Sequence, residues 1–235
     1  MPDFKPFCLE VWGDYACFTR PELKVERHSY DVPTPSAVRA VFEAILWKPA
    51  IRWHVRRIEV LAPIKWASIR RNEVSLRASP RSPHFFIEDA RSQRAATILR
   101  DVRYRFYATL EYIPPDQRPK ATTAETLPQD PEERQLHGAA ESAGKYLAMF
   151  ERRASRGQCV MQPYLGCREF SCFFRFVENP DADPATPISE TRDLGIMLYD
   201  LDFSNPDDPQ PMFFRARLDN GIIDVPPLNS SEILR

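Results

Sequence analysis

Glycine is scarce, with 7 residues in 235, and its densest group (Gly138, Gly144, Gly157, Gly166) has the spacing of neither a dinucleotide fingerprint nor a phosphate-cradling loop. Rossmann and P-loop chemistry are therefore excluded. Histidine is scarcer: His28, His54, His84 and His137 show no HxH or HxxxH spacing. The five cysteines, Cys8, Cys17, Cys159, Cys167 and Cys172, contain no CxxC pair and are odd in number, which reads as reduced, mostly structural thiols. No metal site and no cofactor are expected. No apolar run approaches the roughly 20 residues of a membrane helix. Asp3, Lys5 and Glu10 interrupt the start where a secretory peptide needs an apolar stretch. The expectation is a cytoplasmic protein without a membrane partner.

The chain has the material for one large domain or a domain with a small appendage. It is 43% hydrophobic and 28% charged, with 15 Phe, 8 Tyr and 4 Trp to fill a core. The formal net charge of −1 hides a division. Residues 1–115 hold 19 Lys and Arg against 13 Asp and Glu, whereas residues 116–235 hold 13 against 20. Residues 50–105 alone hold 13 basic and 5 acidic side chains, and 26 of the 32 cations are arginine. The arginine fork grips phosphate bidentately and stacks on bases, so this segment suits nucleic acid. The competing reading is a solvated sheet face with scattered ion pairs.

Periodicity places the elements. Phe7, Leu9 and Val11 alternate with Cys8, Glu10 and Trp12 in a first strand, 7–18. Thr34 and Pro35 open a helix with Val38, Val41, Phe42 and Ile45 on one face, stopped near Trp47-Lys48 by Pro49. A second strand spans 53–61. Residues 65–100 are polar and turn-prone and read as long excursions from a sheet. Residues 102–112 alternate again, with Val102, Tyr104, Phe106, Ala108, Leu110 and Tyr112 on one face. Asp130 caps a second helix, with Leu136, Ala140, Ala143, Leu147 and Phe150 as its stripe and Gly157 as its stop. Strands follow at 170–177, 196–203 and 212–223, the last folded by Asp219-Asn220-Gly221 into a hairpin. This order predicts an α+β, ferredoxin-like sandwich over 1–187 and a C-terminal β-sheet subdomain over 188–235.

Several stretches then make the chain recognisable. Glu10-Val11-Trp12-Gly13-Asp14-Tyr15-Ala16, the run Ser29 to Ala37, Trp47-Lys48-Pro49, the run Ser68 to Val74, the run Leu99 to Tyr104 and Gly166-Cys167-Arg168-Glu169-Phe170 resemble, colinearly, the CRISPR-associated Cas-five family, type I-C branch. The resemblance implies an RNA-recognition-type ferredoxin-like domain of the RAMP superfamily. It further implies an endoribonuclease that cuts precursor CRISPR RNA in the repeat without metal, keeps the 5′ handle, and joins the backbone and large subunits of the type I-C Cascade complex. The RNA supplies nucleophile and leaving group: a 2′-hydroxyl attacks the adjacent phosphate, giving a 2′,3′-cyclic phosphate and a 5′-hydroxyl. Protein groups need only move protons and stabilise the phosphorane.

The family's tyrosine, lysine and histidine correspond here to Leu46 and to Gly144-Lys145-Tyr146. Only Lys145 is retained, so Lys145 and Tyr146 are the candidate catalytic pair, with Tyr30 and His137 as candidate substitutes. A phenol with a pKa of about 10 is ionised to about one part in a thousand at pH 7, a deficit of about 4 kcal/mol as a base, unless Lys145 lowers it. His137, Glu141 and Lys145 share one face if the helix runs through them. Each has a plain alternative: Lys145 a solvated helix lysine, Tyr146 a half-buried packing ring, and Tyr30 and Trp47 core residues.

The candidate RNA-binding set is Lys48, Arg70, Arg71, Arg77, Arg81, Arg100, Arg103 and Arg105, gripping the repeat hairpin and the handle. Their alternative is a general basic face, which also binds duplex DNA. Arg168 and Glu169 read equally as a buried ion pair at a helix–strand junction. The alternative function is a non-catalytic subunit that caps the guide's 5′ end within Cascade. In isolation the chain is expected to be a monomer.

Overall fold

In the computed structural model, residues 6–23, 25–76, 79, 86–118, 141–205 and 207–235 are described. The strands are β1 (Phe7–Ala16), β2 (Arg27–His28), β3 (Ile51–Val60), β4 (Lys65–Val74), β5 (Arg91–Tyr112), β6 (Phe173–Phe176), β7 (Arg192–Asp202), β8 (Gln210–Leu218) and β9 (Ile222–Asp224). The helices are α1 (Pro35–Ile45) and α2 (Ala143–Ser155). The main sheet runs β6-β1-β5-β3-β9, and each neighbouring pair among β6, β1, β5 and β3 is antiparallel. Taking those four in chain order gives spatial order 4-1-3-2 with both helices on one face, which is the ferredoxin-like arrangement expected from the sequence.

The core lies between that face and the helices. Leu9 and Val11 of β1, Tyr104, Phe106 and Ala108 of β5, and Trp53 and Ile58 of β3 point into it. Phe42 of α1 and Phe150 of α2 meet Trp53 with ring centroids 5.0 and 4.5 Å away. α1 begins as expected, the Thr34 hydroxyl accepting from the Ala37 N–H at 3.3 Å with Pro35 in the first turn. α2 ends as expected too. Gly157 takes φ +66°, its N–H reaches the Ala154 carbonyl at 3.1 Å, and the Gln158 N–H reaches Arg153 at 2.9 Å, a Schellman closure. The Asp130 cap and the positions Leu136 and Ala140 lie outside the described residues. Within them, Ser142 caps α2, and the buried stripe is Tyr146, Met149, Phe150 and Ala154.

Residues 65–100 depart from the reading as irregular excursions. Lys65–Val74 pair residue for residue with Arg100–Arg91, so β4 and the first half of β5 form a long antiparallel arm. Its strands carry few apolar residues because only one side has a core, a small cluster of Ala96, Ile98, Cys17 and Cys167 joined by Ala67, Ile69 and Phe170. At Asp101, φ is +53°. This left-handed residue reverses the facing of β5, since Leu99 and Val102 both enter the main core despite being three apart. Arg100 and Arg103 therefore share the face turned away from the helices.

β7 and β8 form a separate two-stranded sheet. Asn220 and Gly221 take φ +48° and +75° in the tight turn after β8, as a type I′ hairpin requires. The returning strand β9 nevertheless leaves β8 and pairs with β3 through Ile58 and Ile223, so the C-terminal segment is stitched into the main sheet.

Candidate functional site

The N-terminus of α2 gathers the groups with the most chemistry. Ser142 accepts from the Lys145 N–H at 3.3 Å, which fixes the first turn and sets Lys145 half-buried on its rim. Tyr146, one residue and 100° further round, turns inward and is 5% exposed. Its ring stacks on Tyr112 at the end of β5, with centroids 6.0 Å apart. Its hydroxyl donates to Glu141 Oε1 at 2.8 Å. Glu141 Oε2 takes the Arg118 guanidinium at 2.5 Å, and Arg118 also donates from Nε to the Ile113 carbonyl at 3.0 Å and lies over the Tyr112 ring. Arg118, Tyr112, Glu141, Tyr146 and Lys145 thus form one cluster.

The electrostatics assign roles. Burial and the Glu141 carboxylate push the Tyr146 phenol well above its ordinary value, and not below it as a converging Lys145 ammonium would. Tyr146 is a proton donor at neutral pH and not a base. Arg118, then Tyr146, hold Glu141 below its ordinary carboxylate value, with the Lys145 ammonium adding to the effect. Glu141 is therefore ionised at neutral pH beside a cation. It lies before the Ser142 cap and not within the helix, so the expected helical row of His137, Glu141 and Lys145 does not include it. His137 itself is outside the described residues. Glu141 and Arg118 were not singled out from the sequence as a pair. The cap at Ser142 was the available signal, and only folding brings Arg118 to it.

Leu46 caps the end of α1, fully buried, and its carbonyl accepts from Trp53 Nε1 at 3.0 Å. Trp47 beside it is 57% exposed, which corrects its reading as core. With Ala44, Val160 and Met161 it lines a groove of about 460 Å³. Arg153 of α2 donates to the Ile45 carbonyl at 3.3 Å, drawing Trp47 and half-buried Lys48 beside the helix that carries Lys145. Lys145 and Arg153 are separated by about 12 Å of helix axis. Tyr30 is not brought to this cluster. It is 2% exposed, its oxygen accepts from the Leu198 N–H at 3.2 Å, and burial raises its pKa.

The arginines divide by environment. Arg70 is exposed on one face of the arm, and Arg100 on the other; no carboxylate among the described residues pairs with either. Arg71 is ion-paired with Glu73 at 2.7 Å and Glu169 at 3.2 Å. Arg103 is half-exposed and bound to Glu10 at 2.6 Å. Arg105 is 3% exposed and held between Glu59 and Asp183 at 3.3 and 2.7 Å, which takes it out of the RNA-facing set. Arg77 and Arg81 lie outside the described residues. Arg168 is exposed, and Glu169 pairs with Arg27 and Arg71 instead, so the expected Arg168–Glu169 buried pair is corrected. Among the described residues no group of His, Cys, Asp and Glu could hold a metal ion. Nor is any described helix long and apolar enough to cross a membrane.

Comparison with known proteins agrees with this architecture. Residues 7–226 match the family described as CRISPR-associated protein (Cas_Cas5). The chain is 44% identical over 242 residues, covering 97% of both chains, to a Mannheimia succiniciproducens protein named CRISPR pre-crRNA endoribonuclease Cas5d. It is 40% identical over 244 residues to a protein of the same name from Thermus thermophilus, covering 97% of this chain and 94% of that one. A solved structure titled "Crystal Structure of CRISPR-associated Protein" shares the fold, with TM-score 0.66 and 20% identity over 98% of this chain and 97% of that one. The chain belongs to the Cas5 family of CRISPR-associated proteins, in its type I-C branch.

Proposed function

We propose that this protein is a CRISPR precursor-RNA endoribonuclease that cuts within the repeat. The observation that carries the reading is similarity over nearly the whole chain to two proteins so named, combined with the Lys145 cluster at the start of α2. The repeat RNA lies with its scissile phosphate at the Lys145 ammonium, which stabilises the charge of the phosphorane. The 2′-oxygen bonds to phosphorus, its proton passes to Glu141, and the bond from phosphorus to the 5′-oxygen breaks. Tyr146, a donor at neutral pH, protonates the leaving oxygen. Lys48 and the exposed arginines Arg70, Arg100 and Arg103 hold the RNA backbone. The 5′ handle stays bound as the chain, monomeric alone, joins the backbone and large subunits of Cascade. Duplex DNA binding follows from the same cations and is strongly salt-sensitive.

A second reading, a non-catalytic cap on the guide's 5′ end, is favoured by one observation. The buried Leu46 offers no exchangeable proton where the resemblance places a tyrosine. One experiment separates the two. The protein is incubated in EDTA with its own repeat RNA and with the same RNA carrying 2′-deoxyribose at the cut. Cleavage abolished by that single sugar change supports the nuclease; intact RNA that stays bound supports the cap.

A further inference from the structure

The face of the main sheet turned away from the helices carries aromatic rings where a solvated sheet would carry polar groups. Leu9 and Val11 of β1 and Tyr104 and Phe106 of β5 point to the core, so Trp12 and Arg103, direct partners across these strands, point outward. Trp12 is also paired with Phe173 on the edge strand β6, and the two rings stack with centroids 6.0 Å apart and planes 26° off parallel. Phe173 is 67% exposed. The facing reversal at Asp101 places Tyr15, the partner of Arg100, on this same side. Tyr15 is exposed and leans on Phe170 at 6.0 Å. From Trp12 to Tyr15 is about 10 Å along the strand.

Cations frame the rings. Arg103 and Arg175 each grip the buried Glu10 carboxylate, at 2.6 and 2.5 Å, leaving both guanidiniums about half-exposed beside Trp12 and Phe173. Arg100 stands beside Tyr15 with no carboxylate partner among the described residues. Of the nearby acids, Asp101 pairs with Lys65 at 3.2 Å and Asp183 with Arg175 at 2.6 Å, and Asp14 is exposed. Large apolar rings left on a surface mark a binding site. Flat rings on a sheet face, interleaved with arginines, match the chemistry by which single-stranded RNA is held: bases stack on the rings and phosphates meet the cations.

We infer that the Trp12–Phe173 pair and Tyr15 form a stacking platform for unpaired bases of the bound RNA, on the side of the sheet opposite the Lys145 cluster. The inference rests on the proposed RNA function and adds a second contact to it. The platform takes bases outside the hairpin stem, because a paired base has no free face to offer.

The test uses the full chain with its repeat RNA, fluorescently labelled, in two forms: the hairpin with its single-stranded flanks, and the blunt stem alone. Phe173→Ala removes an exposed ring, and Trp12→Leu keeps an apolar side chain at a half-buried position; circular dichroism checks that each is folded. The expected result is a loss of about tenfold or more in affinity for the flanked RNA in the double variant, with stem binding within twofold of wild type. A loss on single-stranded DNA of the same sequence equal to that on RNA supports stacking as the cause. Unchanged affinity for flanked RNA overturns the platform, as does a loss seen on the blunt stem or on DNA alone. Cleavage is measured in parallel at saturating RNA. Flank-dependent loss in a protein that cuts nothing contradicts the nuclease and keeps the platform, whereas normal cutting with unchanged affinity contradicts the platform and keeps the nuclease.

Discussion

The Tyr146 hydroxyl donates to Glu141 at 2.8 Å, and that bond fixes the direction in which protons can move at the start of α2. A phenol raised by burial and by a neighbouring carboxylate keeps its proton at neutral pH, so in the proposed mechanism the base of the pair is Glu141. Because Arg118 holds the other oxygen of Glu141, that carboxylate is oriented as well as charged.

Tyr146→Phe removes the donor while keeping the ring on Tyr112. The expected outcome is a fall of about a hundredfold in single-turnover cleavage with RNA affinity within twofold. A filter-binding titration beside a quench-flow time course checks both.

The pH dependence of stability has a definite sign. Glu141 is depressed in the folded state by Arg118 first and Tyr146 second, so its contribution is present above its unfolded pKa of about 4.3 and is lost as pH falls through the lower folded value. Arg118→Ala should flatten the stability curve below about pH 4.5. Urea midpoints at pH 3.5 and 6 for both proteins measure it.

Arg105 tests the buried ion network. Its guanidinium is shared by Glu59 and Asp183 on the face away from the helices; removing it leaves buried Glu59 with only the 3.9 Å contact to Arg57 and Asp183 with Arg175 alone. Arg105→Ala should destabilise by about 3–5 kcal/mol in urea unfolding. Arg70→Ala, exposed on the arm, should leave stability within about 0.5 kcal/mol and lower the slope of log affinity against log salt by about 0.7–0.9.

Two glycines separate backbone strain from steric closure. At Gly157, φ is +66° and an added methyl meets nothing within 4 Å, so Gly157→Ala should cost about 1 kcal/mol. At Gly166, φ is +82° and the methyl would sit 2.1 Å from the Cys17 carbonyl oxygen. Gly166→Ala must displace that strand end, and its unfolding midpoint should fall clearly further.

Much of the fold was legible because one-sided burial writes a period into the sequence. Residues 102–112 alternate because one face of β5 meets the core, and Thr34-Pro35 and Gly157 terminate helices by local chemistry alone. The β4–β5 arm was not legible, since strands exposed on most of both faces need no apolar alternation. The division of the arginines was equally hidden. Arg100, Arg103 and Arg105 look alike in sequence, yet Arg100 is exposed, Arg103 is tied to Glu10, and Arg105 is enclosed by residues 46 and 78 positions away. Lys145 and Tyr146 were marked by motif, but Arg118 and Glu141 meet only through the fold. Trp12 and Phe173, 161 positions apart, likewise meet only across β1 and β6.

The most direct measurement is the single-turnover rate of Glu141→Gln on the cognate repeat RNA at saturating protein in EDTA at neutral pH. Cleavage reduced about a hundredfold or more, with RNA affinity retained, is the predicted result. A Glu141→Gln protein that cuts at the wild-type rate would contradict the assignment of the proton acceptor and, with it, the site.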